Sequence, residues 1–385
     1  MRIGIFTDSY IPQANGVATS TYMLVLGLRE MGHEAYVITT NHRNNHEEFP
    51  YIIRLDGFNV PLKAFDGFQF VLRCGKHFNL IKEMNFDIIH IHTEFSIGHF
   101  GLYCARKLKI PYLYTMHTMY EEYMHHVIKH GQKLLRKPYL AFVKDRITAF
   151  SSGGAVILPH IKVKEMFDRY GIKTYQEVIP TGLDLTKFSR STYKEEDINA
   201  LKEKLNIKDK KVLLYIGRLA LEKSLDLIIE QFAKRNDDLV LLIVGCGPVE
   251  EDLKKQAKRL NISHKVIFAG YVPWVNIGIY YQLGDCFINA SKSETQGLTY
   301  TEALSAGLPV VVRYDTNLDG LITDGENGLF YNEMSEFNSK IDYLFKNDEV
   351  LSKIKNNAVS SVAKYSKEIY AQNCYKLYEK VIGEK

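Results

Sequence analysis

Short apolar runs recur along this 385-residue chain, each followed by a segment long enough for a helix, and the series starts afresh halfway along. In the first half the runs are Arg2–Phe6, Ala35–Thr39, Ile88–Ile91, Ile110–Thr115, Ala155–Leu158 and Glu177–Ile179. In the second half they are Val212–Ile216, Val240–Val244, Val266–Phe268, Cys286–Ile288 and Val310–Val312. Strands this uniformly apolar have no face for water, so they read as parallel sheets covered by helices on both sides. Helical spacing runs over Thr21–Met31, with Gly32 as its stop, and over Leu225–Arg235, Pro248–Leu260, Leu298–Ala306 and Lys367–Ile382. The expected fold class is therefore α/β: one parallel-sheet domain over residues 1–185 and a second over 186–366, with the break in the polar stretch Asp184–Asp197. Ligands of such sheets lie past the carboxyl ends of the strands, and two domains facing each other place the site in the cleft between them.

Charge and cysteine usage narrow the class. The formal net charge is +4, and it lies in the first half: 21 Lys+Arg against 17 Asp+Glu in residues 1–185, then 28 against 28. That excess is too small to predict nucleic-acid binding, but it suits a first domain that meets an anionic surface or substrate, or simply a mixed solvated face. The five cysteines include no CxxC pair, so a zinc site or redox dithiol is not indicated, and reduced, cytosolic thiols are expected. The opening MRIGIFTDSY reads as a strand rather than a signal peptide. No stretch approaches 18 consecutive apolar residues, so membrane contact would have to come from the surface of the fold.

The motifs fall after the strands. Asn15-Gly16 precedes the first helix, where it is either a plain loop turn or a place for backbone N–H groups to approach a phosphate. Gly217-Arg218-Leu219 with Glu222-Lys223 follows VLLYI; the two cations suit a diphosphate, or else form a salt-bridged turn. Gly245-Cys246-Gly247 lacks the full GxGxxG fingerprint, so dinucleotide binding is the poorer reading. In SETQGLTYTEAL, Glu294 and Glu302 stand eight apart, with Gln296-Gly297-Leu298 leading into a helix. One carboxylate can accept from sugar hydroxyls, the other from a ribose diol, while helix N-terminal amides meet phosphate. His90, His92 and Glu94 lie in HIHTEFSIGH, and His117 follows another strand, where a histidine can orient or deprotonate a hydroxyl near neutral pH. No HExxH occurs, and no metal is expected.

Taken together, NGV at 15–17, GRL with EK at 217–223 and the E-x7-E from Glu294 to Glu302 resemble glycosyltransferase family 4, retaining enzymes of the GT-B fold with two Rossmann-like domains. The strings FTDSYIPQANGVATS, HIHTEFSIG and TMHTMYEEYMHH are most similar to those of bacterial diacylglycerol glucosyltransferases. The resemblance implies that helix 367–382 packs back onto the first domain. It implies donor contacts from Gly16, Arg218, Lys223, Glu294, Gln296, Gly297, Leu298 and Glu302, with Arg218 and Lys223 on the diphosphate, Glu294 on the glucose hydroxyls and Glu302 on the uridine ribose. His117 would meet the transferred sugar, making His117, Arg218, Lys223 and Glu294 the catalytic set. Glu94, Tyr120 and Glu121 are acceptor-side candidates.

The implied reaction moves glucose from UDP-glucose to the free hydroxyl of 1,2-diacylglycerol with retention, giving the α-glucoside. UDP-glucose is then a substrate and no cofactor is bound; with no DxD in the chain, a divalent metal is expected to be dispensable, at most stimulatory. The alternatives are a second hexose added to monoglucosyldiacylglycerol, a soluble acceptor, or a non-catalytic sugar-nucleotide or lipid-binding module. KHGQKLLRKPYLAFVKDRI carries Lys129, Lys133, Arg136 and Lys137, then Lys144 and Arg146, among apolar residues. Such a segment suits an anionic membrane surface and a peripheral place on the cytoplasmic face, although Pro138 argues against one unbroken helix. The expected partners are the UDP-sugar, diacylglycerol and that surface, with no nucleic acid and no specific protein.

Overall fold

The computed structural model describes residues 1–385 except 14, 42–48, 60–68, 118–131, 292–295 and 384–385, and only the backbone of 59 and 132–137. The chain forms two compact units, Met1–Leu183 with Lys367–Lys385, and Asp184–Ser366.

The first unit holds a seven-stranded parallel sheet. Its elements in chain order are β1 (Arg2–Phe6), α1 (Gly16–Glu30), β2 (Glu34–Thr40), β3 (Ile52–Leu55), the two-residue strands β4 (Phe58–Asn59) and β5 (Gln69–Phe70), α2 (Phe78–Glu83), β6 (Ile88–Ile91), α3 (Ser96–Leu108), β7 (Tyr112–Thr115), α4 (Gln132–Ser151), β8 (Ala155–Leu158), α5 (Ile161–Tyr170) and β9 (Gln176–Val178). The sheet order is β3-β2-β1-β6-β7-β8-β9, and β4 pairs separately with β5. Strand order reverses between β1 and β6, so the loops after those two strands meet at the switch point where a crevice opens.

The second unit repeats the plan with six parallel strands. It comprises α6 (Glu195–Lys204), β10 (Val212–Ile216), α7 (Leu225–Phe232), β11 (Val240–Val244), α8 (Glu250–Arg259), β12 (Val266–Gly270), α9 (Ile277–Tyr281), β13 (Cys286–Asn289), α10 (Leu298–Ser305), β14 (Val310–Arg313), β15 (Gly328–Tyr331), α11 (Phe337–Phe345) and α12 (Asp348–Ser361). Its order is β12-β11-β10-β13-β14-β15, with the reversal between β10 and β13. The last helix, α13 (Lys367–Gly383), belongs to the first unit and packs on α1. The crossing is close: a Cβ on Gly27 would lie 2.6 Å from that of Ala371. Each sheet is buried on both faces, the first between a Phe6–Phe150 cluster and the Leu24–Tyr378 cluster, the second between those of Phe287 and Phe232. Among the described residues, no helix is long and apolar enough to cross a membrane.

Three details depart from expectation. Helix α1 begins at Gly16 rather than Thr21, because Asn15 Oδ1 accepts the Ala18 N–H at 3.0 Å and caps the helix; its first turn carries small residues and so shows no apolar period. Strands β3 and β15 fall at sheet edges, where one partner suffices and the apolar signature is short. Helix α4 runs through Pro138 without a break. The ring removes one intrahelical donor early in the helix, and the turns beyond it are anchored by Val143, Ile147 and Phe150 in the core.

A buried carboxylate ties the switch point of the first sheet together. Asp8, 2% exposed, accepts from the Ser96 and Thr93 hydroxyls at 2.6 Å each and from the N–H groups of Ile97 and Gly98 at 2.9 and 3.2 Å. It thereby closes the N-terminus of α3 from the loop after β1. Gly98 permits that approach, since a Cβ there would lie 1.7 Å from the Thr93 oxygen. Asp8→Ala leaves these donors unanswered in the interior and is expected to cost about 3 kcal/mol, read as a lower urea midpoint at unchanged slope.

Candidate active site

In the first unit the loop after β1 leads to Gly16, which is exposed at the first turn of α1. Asn15 is steadied by Ser9, whose hydroxyl lies 2.9 Å from its amide nitrogen. At the ends of β6 and β7 stands a row of three imidazoles, His90 within β6 and His92 and His117 just past the two strands. His90 is bracketed by the Tyr378 hydroxyl of α13 at 2.7 Å and Thr115 Oγ1 at 2.6 Å. His92 lies over His90 with ring centroids 4.0 Å apart, and its Nδ1 is 2.9 Å from His117 Nε2. Burial disfavours the charged form throughout, pushing His117 down to about 4 and His90 and His92 well below the ordinary histidine range. His117 is thus a neutral, hydrogen-bonding imidazole at neutral pH, and of the two roles expected of a histidine here, orienting a hydroxyl suits it better than deprotonating one. Glu94 is nearly buried and accepts from the Tyr114 hydroxyl, so this acceptor-side candidate is committed to an internal partner.

In the second unit the loops after β10 and β11 are packed on each other. Gly217 N–H donates to Val244 O at 3.0 Å, and Leu219 N–H to Cys246 O at 3.0 Å. A Cβ on Gly245 would lie 2.0 Å from Gly217 O, and one on Gly247 2.2 Å from Leu219 O. Both glycines of the Gly-Cys-Gly turn therefore answer to loop packing. The packed turn presents Arg218, whose side chain is 57% exposed and pairs with Glu222 four residues on. Lys223 closes the one-turn segment Leu221–Lys223 beside it. Two cations thus stand at the end of β10, next to the switch point.

Across that switch point, β13 leads through Asn289, whose side chain accepts the Ser291 N–H at 2.8 Å, into the loop before α10. Gly297 takes the left-handed conformation, φ +73°, at the start of α10, where a Cβ would lie 2.7 Å from the Tyr300 ring. Gln296 and Leu298 flank it, half-buried. One turn further, Glu302 is 6% exposed and accepts from the Tyr281 hydroxyl at 2.5 Å. Burial raises this carboxyl to about 7, while Tyr281, the Lys187 ammonium and the Trp274 indole pull it down. Lys187 comes from the one-turn segment Leu185–Phe188, which packs on α10. Its ammonium donates to the Trp274 carbonyl and sits over the indole ring, 2.8 Å from the centroid. Burial lowers it to about 7, against the pull of Glu302 and Asp184.

Of the expected site residues, Glu294, Tyr120, Glu121 and Lys129 lie outside the described residues, as do the side chains of Lys133, Arg136 and Lys137 on α4. Arg146, further along the same basic segment, donates to the Glu94 carbonyl at 2.7 Å, lies 3.0 Å from His99 Nε2 and stacks on Phe142. Asp8, the His92–His117 bond and the Lys187–Trp274–Glu302 group escaped sequence reading. The one available signal was Trp274, the only tryptophan, following Pro273 at a strand end. Among the described residues, no group of three His, Cys, Asp or Glu side chains is placed to hold a metal ion.

Known proteins resemble this chain in sequence and in fold. Residues 14–187 match the model for Glycosyltransferase Family 4, and residues 197–360 that for glycosyl transferases group 1. The chain is 37% identical to the alpha-monoglucosyldiacylglycerol synthase of Acholeplasma laidlawii over 100% of this chain and 98% of that protein. It is 40% identical to the alpha-monoglucosyldiacylglycerol synthase of Streptococcus pneumoniae over 86% of this chain and 75% of that one. In fold it is similar to Anabaena HepE, solved with UDP-glucose, at 17% identity and TM-score 0.77 over 99% of this chain and 100% of that one. Sucrose-phosphate synthase from Thermosynechococcus elongatus gives 19% identity and TM-score 0.77 with full coverage of both chains. The chain belongs to the family 4 glycosyltransferases of GT-B fold, in the group that holds the alpha-monoglucosyldiacylglycerol synthases.

Proposed function

We propose that this enzyme transfers glucose from UDP-glucose to the free hydroxyl of 1,2-diacylglycerol with retention, forming alpha-monoglucosyldiacylglycerol. The observation that carries the reading is the likeness to the Acholeplasma synthase along the whole of both chains, acceptor-side half included. The second unit supplies the donor chemistry. Arg218 and Lys223, at the end of β10, suit a leaving diphosphate, one as a planar fork and the other as a mobile point charge. The first-turn amides of α10 favour the same phosphates, and the Glu302 carboxylate accepts from the ribose diol. Glu294 takes the glucose hydroxyls, and Gly16 brings backbone close to the diphosphate.

The bond from the anomeric carbon to the β-phosphate oxygen breaks, the acceptor oxygen bonds to the same face of the sugar, and its proton passes to the departing phosphate. Cations held in place before the reaction stabilise the charge that appears on that phosphate. His117, neutral beside His92, orients the sugar by hydrogen bonding and leaves the proton to the phosphate. Glu302 is engaged by Tyr281 inside the second unit, so the paired-carboxylate scheme of glycoside hydrolases does not describe Glu294 and Glu302.

For the membrane we propose a peripheral place on the cytoplasmic face, with α4 on the lipid. Phe142 is 57% exposed and Lys144 is exposed, while Val143 and Ile147 point into the core. Apolar groups at the interface with cations among anionic headgroups make such binding sensitive to salt.

Mass spectrometry of products from UDP-glucose with diacylglycerol, monoglucosyldiacylglycerol or a soluble sugar tests the acceptor. One hexose on bare diacylglycerol is expected; product on the pre-glycosylated lipid alone, or on the soluble sugar alone, rejects it. Arg218→Ala is expected to lower kcat by about 100-fold or more through lost leaving-group stabilisation, measured in the same assay. Sedimentation with vesicles should show binding to anionic lipid that weakens at high salt, and equal, negligible binding to anionic and neutral vesicles would reject the surface.

A further inference from the structure

We propose that His92 is a positioning residue of the sugar site: by donating from its Nδ1 to Nε2 of His117, it fixes His117 in the tautomer that carries its hydrogen on Nδ1, so that His117 meets the transferred glucose as a hydrogen-bond donor. The inference rests on the proposed contact between His117 and that sugar. The two facing nitrogens lie 2.9 Å apart, with the ring centroids 5.2 Å apart and the ring planes 20° from parallel. At that distance the pair shares one hydrogen, since two N–H groups or two bare nitrogens would repel. Burial favours the neutral form of both rings, so each carries a single hydrogen. The direction of the shared bond therefore decides the state of the two outer nitrogens, His92 Nε2 and His117 Nδ1.

One outer nitrogen settles the direction. His92 Nε2 is buried and has no hydrogen-bond partner among the described residues. If His117 donated, His92 would carry its hydrogen on Nε2, leaving an N–H group sealed from water with no acceptor. Buried backbone groups show which orphan is more strongly avoided: an N–H without an acceptor is rare, an acceptor without a donor less so. His92 therefore donates from Nδ1 and leaves Nε2 as the bare nitrogen. His117 accepts at Nε2 and carries its hydrogen on Nδ1. That ring is only half-buried, and no other hydrogen bond holds it among the described residues, so its Nδ1–H is left for a ligand oxygen. His92 is placed to hold this arrangement. Its backbone N–H donates to Phe6 O at 2.9 Å, and the next residue, Thr93, is tied through its hydroxyl to Asp8. Its ring lies over His90, 4.0 Å between centroids, and His90 is clamped between the Tyr378 hydroxyl and Thr115 Oγ1. A buried polar atom kept without a partner in so fixed a setting calls for a functional reason, and the tautomer of His117 supplies one.

Nuclear magnetic resonance of enzyme labelled with nitrogen-15 in its histidines reads the tautomer of each ring from its imidazole nitrogen shifts, and the spectrum of His117→Gln assigns the His117 signals by their loss. The wild-type ring is expected to carry its hydrogen on Nδ1; a hydrogen on Nε2 overturns the proposal with no change made to His92. In His92→Phe, which keeps a ring over His90 but has no donor, the Nδ1–H form should no longer dominate. In the same variant kcat/KM for UDP-glucose should fall about tenfold, the scale of one lost hydrogen bond, while inhibition by UDP, which has no sugar, stays at the wild-type value. His92→Asn places an amide nitrogen near the position of Nδ1 and should recover most of both the tautomer and the rate. Thermal melts check that the variants fold. If His117→Gln lowers kcat/KM without weakening UDP inhibition, the sugar contact stands. The role of His92 is then overturned by a wild-type tautomer and rate in His92→Phe, by UDP inhibition that weakens in step with the rate, or by failure of His92→Asn to restore either. If His117→Gln leaves kcat/KM unchanged, the sugar contact and the role of His92 both fall.

Discussion

A parallel sheet covered on both faces can place polar chemistry only at its ends, and the rest of this molecule follows from that. The central strands β1, β6, β10 and β13 are buried along almost their whole length, so charged groups collect in the loops that leave them. In both units the order of strands reverses between two central members, which opens a crevice at the ends of those strands. Asp8 fills one such point with a fully bonded carboxylate. Packed glycine turns fill the other and leave Arg218 standing clear of them.

Burial then sets the charge states. The His90–His92–His117 row is neutral because nothing anionic among its described contacts repays the loss of water, and each ring is instead held by a hydroxyl or another ring. Glu302 and Lys187 face the same cost but offset part of it for each other. The first unit thus offers neutral hydrogen-bonding groups at its strand ends. The second offers the Arg218 and Lys223 cations at the end of β10 and a buried carboxyl and ammonium that burial brings to about 7 from opposite sides.

Much of the fold was legible because apolar runs such as VLLYI and VLLIV can be little else than buried strands. The edge strands Ile52–Leu55 and Gly328–Tyr331 were not, since a four-residue edge strand needs no continuous apolar run. The candidate site was legible as positions along the chain, each motif following a strand. Its electrostatics were not. Nothing in the spacing of His92 and His117 indicates that one ring bonds the other, and LDLTKF gives no hint that its lysine lies on a tryptophan 87 residues away. Such pairings depend on which loops the sheet order brings together. The break expected at Pro138 failed for a related reason: a local rule about one missing donor was outweighed by three core residues further along the helix.

The return of α13 to the first unit has a consequence for biogenesis. Helices α1 and α13 share one core, where Tyr370, Ala371, Cys374 and Tyr378 complete the packing on Leu24 and Leu28, and Tyr378 reaches the buried His90. The ribosome releases the amino-terminal sheet long before it makes that helix. Until Lys367–Gly383 emerges, one flank of the nascent first unit exposes the apolar surface that this helix covers, while the second unit can close as soon as Ser366 is free. The domain made first is therefore the domain finished last.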